Sequence, residues 1–316
     1  MAPRTAAHMT DTTLHPLPHG ITLHCRTRGD AGRPVLVFLH GFPEGAFIWD
    51  GMLEHFARPE NGAYRCVAPF LRGFAPSSSP QAVEAYRAKH LVQDLAALIE
   101  AECGPAAAGG RLAALVAHDW GGAVAWNLAN QRPDLLERLV IVNSPHPGTF
   151  LRELQHSPEQ QKASEYMHFL CRPDAEALLA EDGYRRLFGF FDRPDGSAPG
   201  WLTPELRGRY RATWDEGLTG PCNYYRASPL RPPREGEPHA AAVELPDGML
   251  GITLPTLVLW GLEDPALRPG LLDGLERWVP ALRLRTVPGA SHWIVHEQPE
   301  RVAREIGDFL KETRQQ

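Results

Sequence analysis

Three polar residues stand where a reaction could be assembled: Asp119, Asp264 and His292. Asp119 lies in Ala117-His118-Asp119-Trp120-Gly121-Gly122, where an apolar run gives way to a helical pattern. Small residues at 117, 121 and 122 permit a turn too tight for larger side chains, a geometry that lifts one side chain above a sheet edge. A carboxylate is ionised at neutral pH and attacks without a base to activate it. It is a weak nucleophile, suited to a saturated carbon with a strained or good leaving group. Its simpler role would be to cap the following helix. Asp264, in Trp260-Gly261-Leu262-Glu263-Asp264-Pro265, also follows an apolar run, and its simpler role is a turn before proline. His292 lies in Gly289-Ala290-Ser291-His292-Trp293. Paired with a carboxylate it is a general base near neutral pH; alone it would be a surface loop residue. Each of the three comes just after a candidate strand, in the order nucleophile, acid, histidine, and that conjunction favours chemistry.

A fourth segment, His40-Gly41-Phe42-Pro43, follows the run ending at Leu39. Backbone N–H groups of Phe42 and Trp120 are candidate donors to a developing oxyanion. The Phe42-Pro43 bond is a candidate cis peptide, which would hold that N–H in place. An ordinary turn is the plainer alternative.

The elements that would carry these residues alternate. Apolar runs at 34–39, 64–68, 112–117 and 139–142 read as buried strands, separated by helical patterns over 86–99 and 123–135. This order implies parallel strands with helices on both faces. From 144 to 249 no buried strand is evident; helical patches at 159–169, 175–187 and 204–214 alternate with loops, and 228–247 reads as a long proline- and charge-rich loop. Strand signal returns at 256–260 and 282–286, and an amphipathic helix covers 299–310. The expected organisation is an N-terminal tail over 1–18, an α/β core over 19–145 and 250–316, and a helical insertion over 146–249. No internal repeat is evident.

The 316-residue chain has 43% hydrophobic and 22% charged residues, a composition that excludes wholesale disorder. A net charge of -6 without a basic block gives no electrostatic footprint for nucleic acid or an anionic membrane. No segment approaches the roughly 20 apolar residues of a membrane span, and no signal peptide is legible. The five cysteines are scattered, with none in Cys-x-x-Cys spacing, so the sequence reads as a reduced, cytoplasmic protein. Histidines at 40, 118, 146 and 296 lack metal-ligand spacing, and no metal or organic cofactor is expected. The oligomeric state stays open, a homodimer among the options.

At these residues the chain resembles the α/β-hydrolase-fold epoxide hydrolases of the soluble type. The likeness runs from about 21 to 310 and rests on His40-Gly41-Phe42-Pro43-Glu44, Leu71-Arg72-Gly73-Phe74, His118-Asp119-Trp120-Gly121-Gly122, Asn223-Tyr224-Tyr225-Arg226, Trp260 to Asp264 and Gly289 to Trp293. The resemblance implies a mostly parallel, doubly wound sheet with an inserted helical lid, and no cofactor. It implies two lid tyrosines that donate hydrogen bonds to an epoxide oxygen: Tyr225 by its motif, and Tyr166 by its spacing to Pro173. It also implies hydrolysis to a vicinal diol through an ester on Asp119, with His292 and Asp264 activating water. Phe42, Trp120, Met167 and Phe169 are expected to line the substrate pocket. Phe70 and Ala75 depart from the family pattern, where Asp and Gly are usual, and bear on loop shape.

The rival enzyme is a haloalkane dehalogenase, which shares the fold and the aspartate nucleophile. It needs a second halide donor, commonly Asn where Phe42 stands, or a lid tryptophan; nothing singles out Trp201 or Trp214 for that role. A fluoroacetate dehalogenase would carry Arg after the nucleophile and His in place of Tyr166. A non-catalytic receptor built on this fold would be marked by loss of a catalytic member, and all are present.

Overall fold

A computed structural model of the chain describes residues 10–234, 236 and 243–312. One eight-stranded sheet runs in the order β1-β2-β4-β3-β5-β6-β7-β8. The parallel strands are β3 (Val35–Leu39), β4 (Arg65–Pro69), β5 (Ala114–His118), β6 (Leu139–Val142), β7 (Thr256–Gly261) and β8 (Leu282–Val287). β3, β5, β6 and β7 are buried along their whole length, as strands covered on both faces must be.

The sequence reading missed two strands. β1 (Asp11–Pro16) and β2 (Thr22–Arg28) form an antiparallel edge, with β2 antiparallel to β4 as well. The stretch read as a tail over 1–18 is therefore corrected: its described residues include the edge strand, and 1–9 lie outside the described residues. An edge strand paired on one side and open to water on its faces needs no apolar run, so β1 reads as polar. In β2 every second residue is buried, a weaker signal than a continuous run.

Helix α1 (Asp50–Ala57) packs against β4 and the C-terminal helix Pro299–Glu312, while α2 (Ala88–Cys103) packs on α3 (Trp120–Gln131). Between β6 and β7 the described residues hold helices and loops but no strand. These helices are α4 (Pro147–His156), α5 (Pro158–Ala163), α6 (Tyr166–Leu170), α7 (Ala175–Gly189, interrupted by non-helical backbone at 181–184), α8 (Pro204–Asp215) and α9 (Thr219–Ala227). α9 was not legible in sequence, because Gly220-Pro221 reads as a break; proline is tolerated there in the first helical turn. Of the loop expected over 228–247, residues 235 and 237–242 lie outside the described residues.

The chain order places strand connections from β3 to β4 on one side and from β5 to β6 on the other. The crevice between the carboxyl ends of β3 and β5 is thus the topological switch point, where open α/β sheets build their sites.

Candidate active site

Asp119 sits at that crevice, between β5 and α3, with φ +50° and ψ −123°. This is a strained conformation for a residue with a Cβ, and the surroundings over-determine it. A Cβ added to Gly41 would overlap the Asp119 side chain, and one added to Gly122 would overlap Ser144. The Ser144 hydroxyl donates to the Asp119 carbonyl at 2.7 Å. The side chain makes no helix-capping hydrogen bond, so the simpler N-cap role is not taken.

Instead Asp119 Oδ1 accepts the Phe42 N–H at 2.7 Å, and Oδ2 stands 3.7 Å from His292 Nε2. Trp120 opens α3, and the first N–H groups of a helix have no intrahelical acceptor. The Phe42-Pro43 peptide is cis.

His292 Nδ1 lies 2.6 Å from Asp264 Oδ2, and Asp264 is fully buried. The other Asp264 oxygen accepts the N–H groups of Ala266 and Leu267 at 2.9 and 2.8 Å. Burial would raise the Asp264 carboxyl, but His292 and these donors hold it below its ordinary value. Burial alone would lower the His292 imidazole; the carboxylates of Asp264, Asp119 and Glu44 outweigh it and push the imidazole up to about 9.

Asn143 completes this group and was not anticipated from sequence. Its backbone has φ +39° at the end of β6, and its amide donates to Asp264 Oδ2 at 2.8 Å while accepting the Gly261 N–H at 2.8 Å. An asparagine ending a buried strand was the available signal. A second unanticipated group lies behind His292. His118 Nε2 is 2.9 Å from the His292 carbonyl, and His118 Nδ1 is 3.4 Å from Glu44 Oε2. Glu44 also binds Tyr210 and His296, each at 2.6 Å. Burial would raise the Glu44 carboxyl, yet His296 and His118 hold it well below the carboxylate range. His40 and His146 are structural: each is buried, and burial lowers each to about 4. Among the described residues no cluster of His, Cys, Asp or Glu is disposed to hold a metal ion.

Tyr166 opens α6 and Tyr225 lies in α9, their ring centroids 6.0 Å apart. Tyr225 also meets Trp120 and Phe42 edge-on, at 5.0 and 5.2 Å. Burial first, and nearby charge including Asp119 second, raise both phenols above their ordinary value, which keeps both hydroxyls protonated. α9 is held to the core by its neighbours: the Tyr224 hydroxyl donates to the Arg72 carbonyl at 2.9 Å, and the Asn223 amide to the Gln81 carbonyl at 3.2 Å. Arg226 grips Glu176 of α7 through two hydrogen bonds, 2.5 and 2.7 Å.

Asp119, Tyr166 and Tyr225 line one cavity of about 250 Å³, walled mainly by apolar side chains. Trp120 and Met167 line it as expected. Phe42 and Phe169 do not. Phe42 turns its ring into Tyr225 and Phe190, offering the site its N–H, and the Phe169 ring lies under the Arg186 guanidinium. Phe169 stands two residues after Met167, a step that faces elsewhere on a helix, so the two do not share one lining face. Phe150 and Leu267, neither anticipated, line it too.

Residues 34–299 match the α/β hydrolase fold family. The chain is 36% identical over 299 residues to the AB hydrolase superfamily protein YfhM of Bacillus subtilis, covering 93% of this chain and 96% of that protein. It is 32% identical over 303 residues to epoxide hydrolase 3 of Xenopus tropicalis, covering 93% of this chain and 76% of that protein. Among solved structures, an inhibitor complex of Bacillus megaterium epoxide hydrolase superposes with a TM-score of 0.83 at 30% identity, covering 95% of this chain and 100% of that one. With a family match over residues 34–299 and relatives matched over most of the chain, the chain belongs to the α/β-hydrolase fold family and is related within it to the epoxide hydrolases.

Proposed function

We propose that this protein hydrolyses an epoxide to a vicinal diol through an ester formed on Asp119. The observation that carries the reading is the division of labour at one carboxylate. Oδ1 is held by the Phe42 N–H, while Oδ2 faces His292 within a cavity shared with two protonated phenols.

The phenols of Tyr166 and Tyr225 donate to the ring oxygen, and Asp119 Oδ2 attacks a ring carbon. That carbon–oxygen bond breaks, and the departing oxygen takes a proton from a phenol. His292 Nε2 then removes a proton from water, and the hydroxide adds to the ester carbon of Asp119. Oδ1 becomes the oxyanion, already at the Phe42 N–H and beside the start of α3. Collapse expels the diol oxygen, which takes the proton from His292. Ionisation of the restored Asp119 acid supplies the proton that resets the tyrosine.

Charge supports the order of these steps. Asp119 is one of the carboxylates that raise His292. Esterification removes that charge, which lowers the imidazole toward its free-base form when water must be activated. The helical insertion over 146–249 serves as the lid, because it supplies both phenols. The five cysteines, all free, fit a reducing compartment such as the cytoplasm.

A panel of aryl and alkyl epoxides and alkyl halides tests the reading. Diol formation without halide release is expected; halide release with intact epoxides would favour the dehalogenase alternative, in which the tyrosines have no role.

A further inference from the structure

Resting on the epoxide reading, we propose that the substrate is a terminal epoxide bearing one apolar group, and that epoxides substituted on both ring carbons are excluded. The residues that line the cavity run from Asp119 past Trp120, Phe150, Met167 and Leu245 to Met249, and Phe42, Phe190 and Trp293 are not among them. Met249 is 56% exposed, so the cavity reaches the surface at that end.

The other side of the tyrosine pair is filled by aromatic rings. Phe42 lies edge-on to Tyr225 at 5.2 Å and to Phe190 at 5.8 Å, and Tyr166 meets Phe190 at 5.8 Å. Rings at such separations are in contact and leave no channel between them. The wall is tied down: the Trp293 indole N–H donates to the Phe190 carbonyl at 3.1 Å, and Trp293 packs on Phe191 at 4.6 Å. Phe42 is 4% exposed and Trp293 7%.

An epoxide bound for reaction has its oxygen at the phenols and the reacting carbon at Asp119. Its two ring carbons then lie across the gap, one toward the cavity and one toward the wall. A substituent on the first enters the apolar cavity. The second has space for hydrogen alone.

The test compares 1,2-epoxyoctane with its trans-4,5 isomer, which has the same composition with carbon chains on both ring carbons, by kcat/KM for diol formation. The terminal isomer is expected to exceed the internal one by at least about tenfold, the lower bound for a single misplaced methylene in a packed pocket. Phe190→Ala, which opens the wall, is expected to raise the internal-to-terminal ratio; the parent protein's own preference decides the matter if that variant does not fold. Equal turnover of both isomers by the parent would overturn this inference and leave the epoxide reading standing. Turnover of neither, with no diol from any epoxide, would overturn both.

Discussion

Asp119 Oδ1 lies 2.7 Å from the Phe42 N–H, the donor that a tetrahedral intermediate on the same residue would need. In the proposed mechanism the nucleophile's own idle oxygen occupies the oxyanion site before substrate binds. A serine at this position would leave the site for the substrate's carbonyl oxygen. With aspartate as the proposed nucleophile, the acyl group attacked in the second half of the reaction would belong to the protein, so the donor would be aimed before any substrate binds. The 3.7 Å gap from Oδ2 to His292 Nε2 separates the attacking oxygen from the base.

Removing the base should split the two halves of the reaction. His292→Gln is expected to form the Asp119 ester and then stall, with ester hydrolysis slowed by about 10²–10⁴-fold. Mass spectrometry of the intact protein would show an adduct of substrate mass. Repeated turnover by the variant at the parent rate would remove His292 from the mechanism.

The two tyrosines should act on the other half. Tyr225→Phe and Tyr166→Phe are each expected to slow ring opening by roughly 10–100-fold while leaving ester hydrolysis unchanged, since each removes a donor to the ring oxygen. Stopped-flow tryptophan fluorescence would separate the steps through Trp120, which touches the Tyr225 ring at 5.0 Å. Equal slowing of both steps would mean that the tyrosines support structure alone.

The charge around His292 has a pH signature. Its imidazole is raised to about 9, against an ordinary value near 6.5. A group raised on folding adds stability that is complete below its unfolded value and is lost as pH rises through its folded value. The parent should therefore lose more stability than His292→Gln between about pH 6.5 and 9, measured by urea midpoints. Asp119→Asn removes one of the raising charges, so NMR titration should place the His292 pKa lower in that variant. An unchanged pKa would contradict the coupling that orders the two steps.

The tight turn at Asp119 depends on glycine beside it. In Gly122→Ala the new methyl would overlap Ser144, whose hydroxyl holds the Asp119 carbonyl. The expected cost is about 1–3 kcal/mol by chemical denaturation, with activity reduced more than stability alone explains. A variant as stable and as active as the parent would mean the turn tolerates a side chain.

Much of this site could be read from the sequence, and the reasons are local. Asp119 and Asp264 each follow a strand whose apolar run is unbroken because both of its faces are covered, while His292 follows β8, an edge strand that alternates Leu and Arg. Tyr225 was legible through its motif, although the helix that carries it was hidden by Gly220-Pro221. What stayed hidden depends on contacts between distant segments. Asn143 joins Asp264 across 121 residues, and Glu44 joins Tyr210 across 166; neither pairing leaves a periodic trace. The contact of Phe42 with Phe190 is likewise set by packing, so their absence from the cavity lining, and that of Phe169, emerge from the fold alone.

The covalent step at Asp119 is tested most directly by a single turnover in ¹⁸O-water with protein in excess over epoxide. The account predicts that the first diol carries no label and that the peptide containing Asp119 gains one ¹⁸O in its carboxylate. Label in the first diol with none at Asp119 would show water attacking the epoxide directly and would contradict the account.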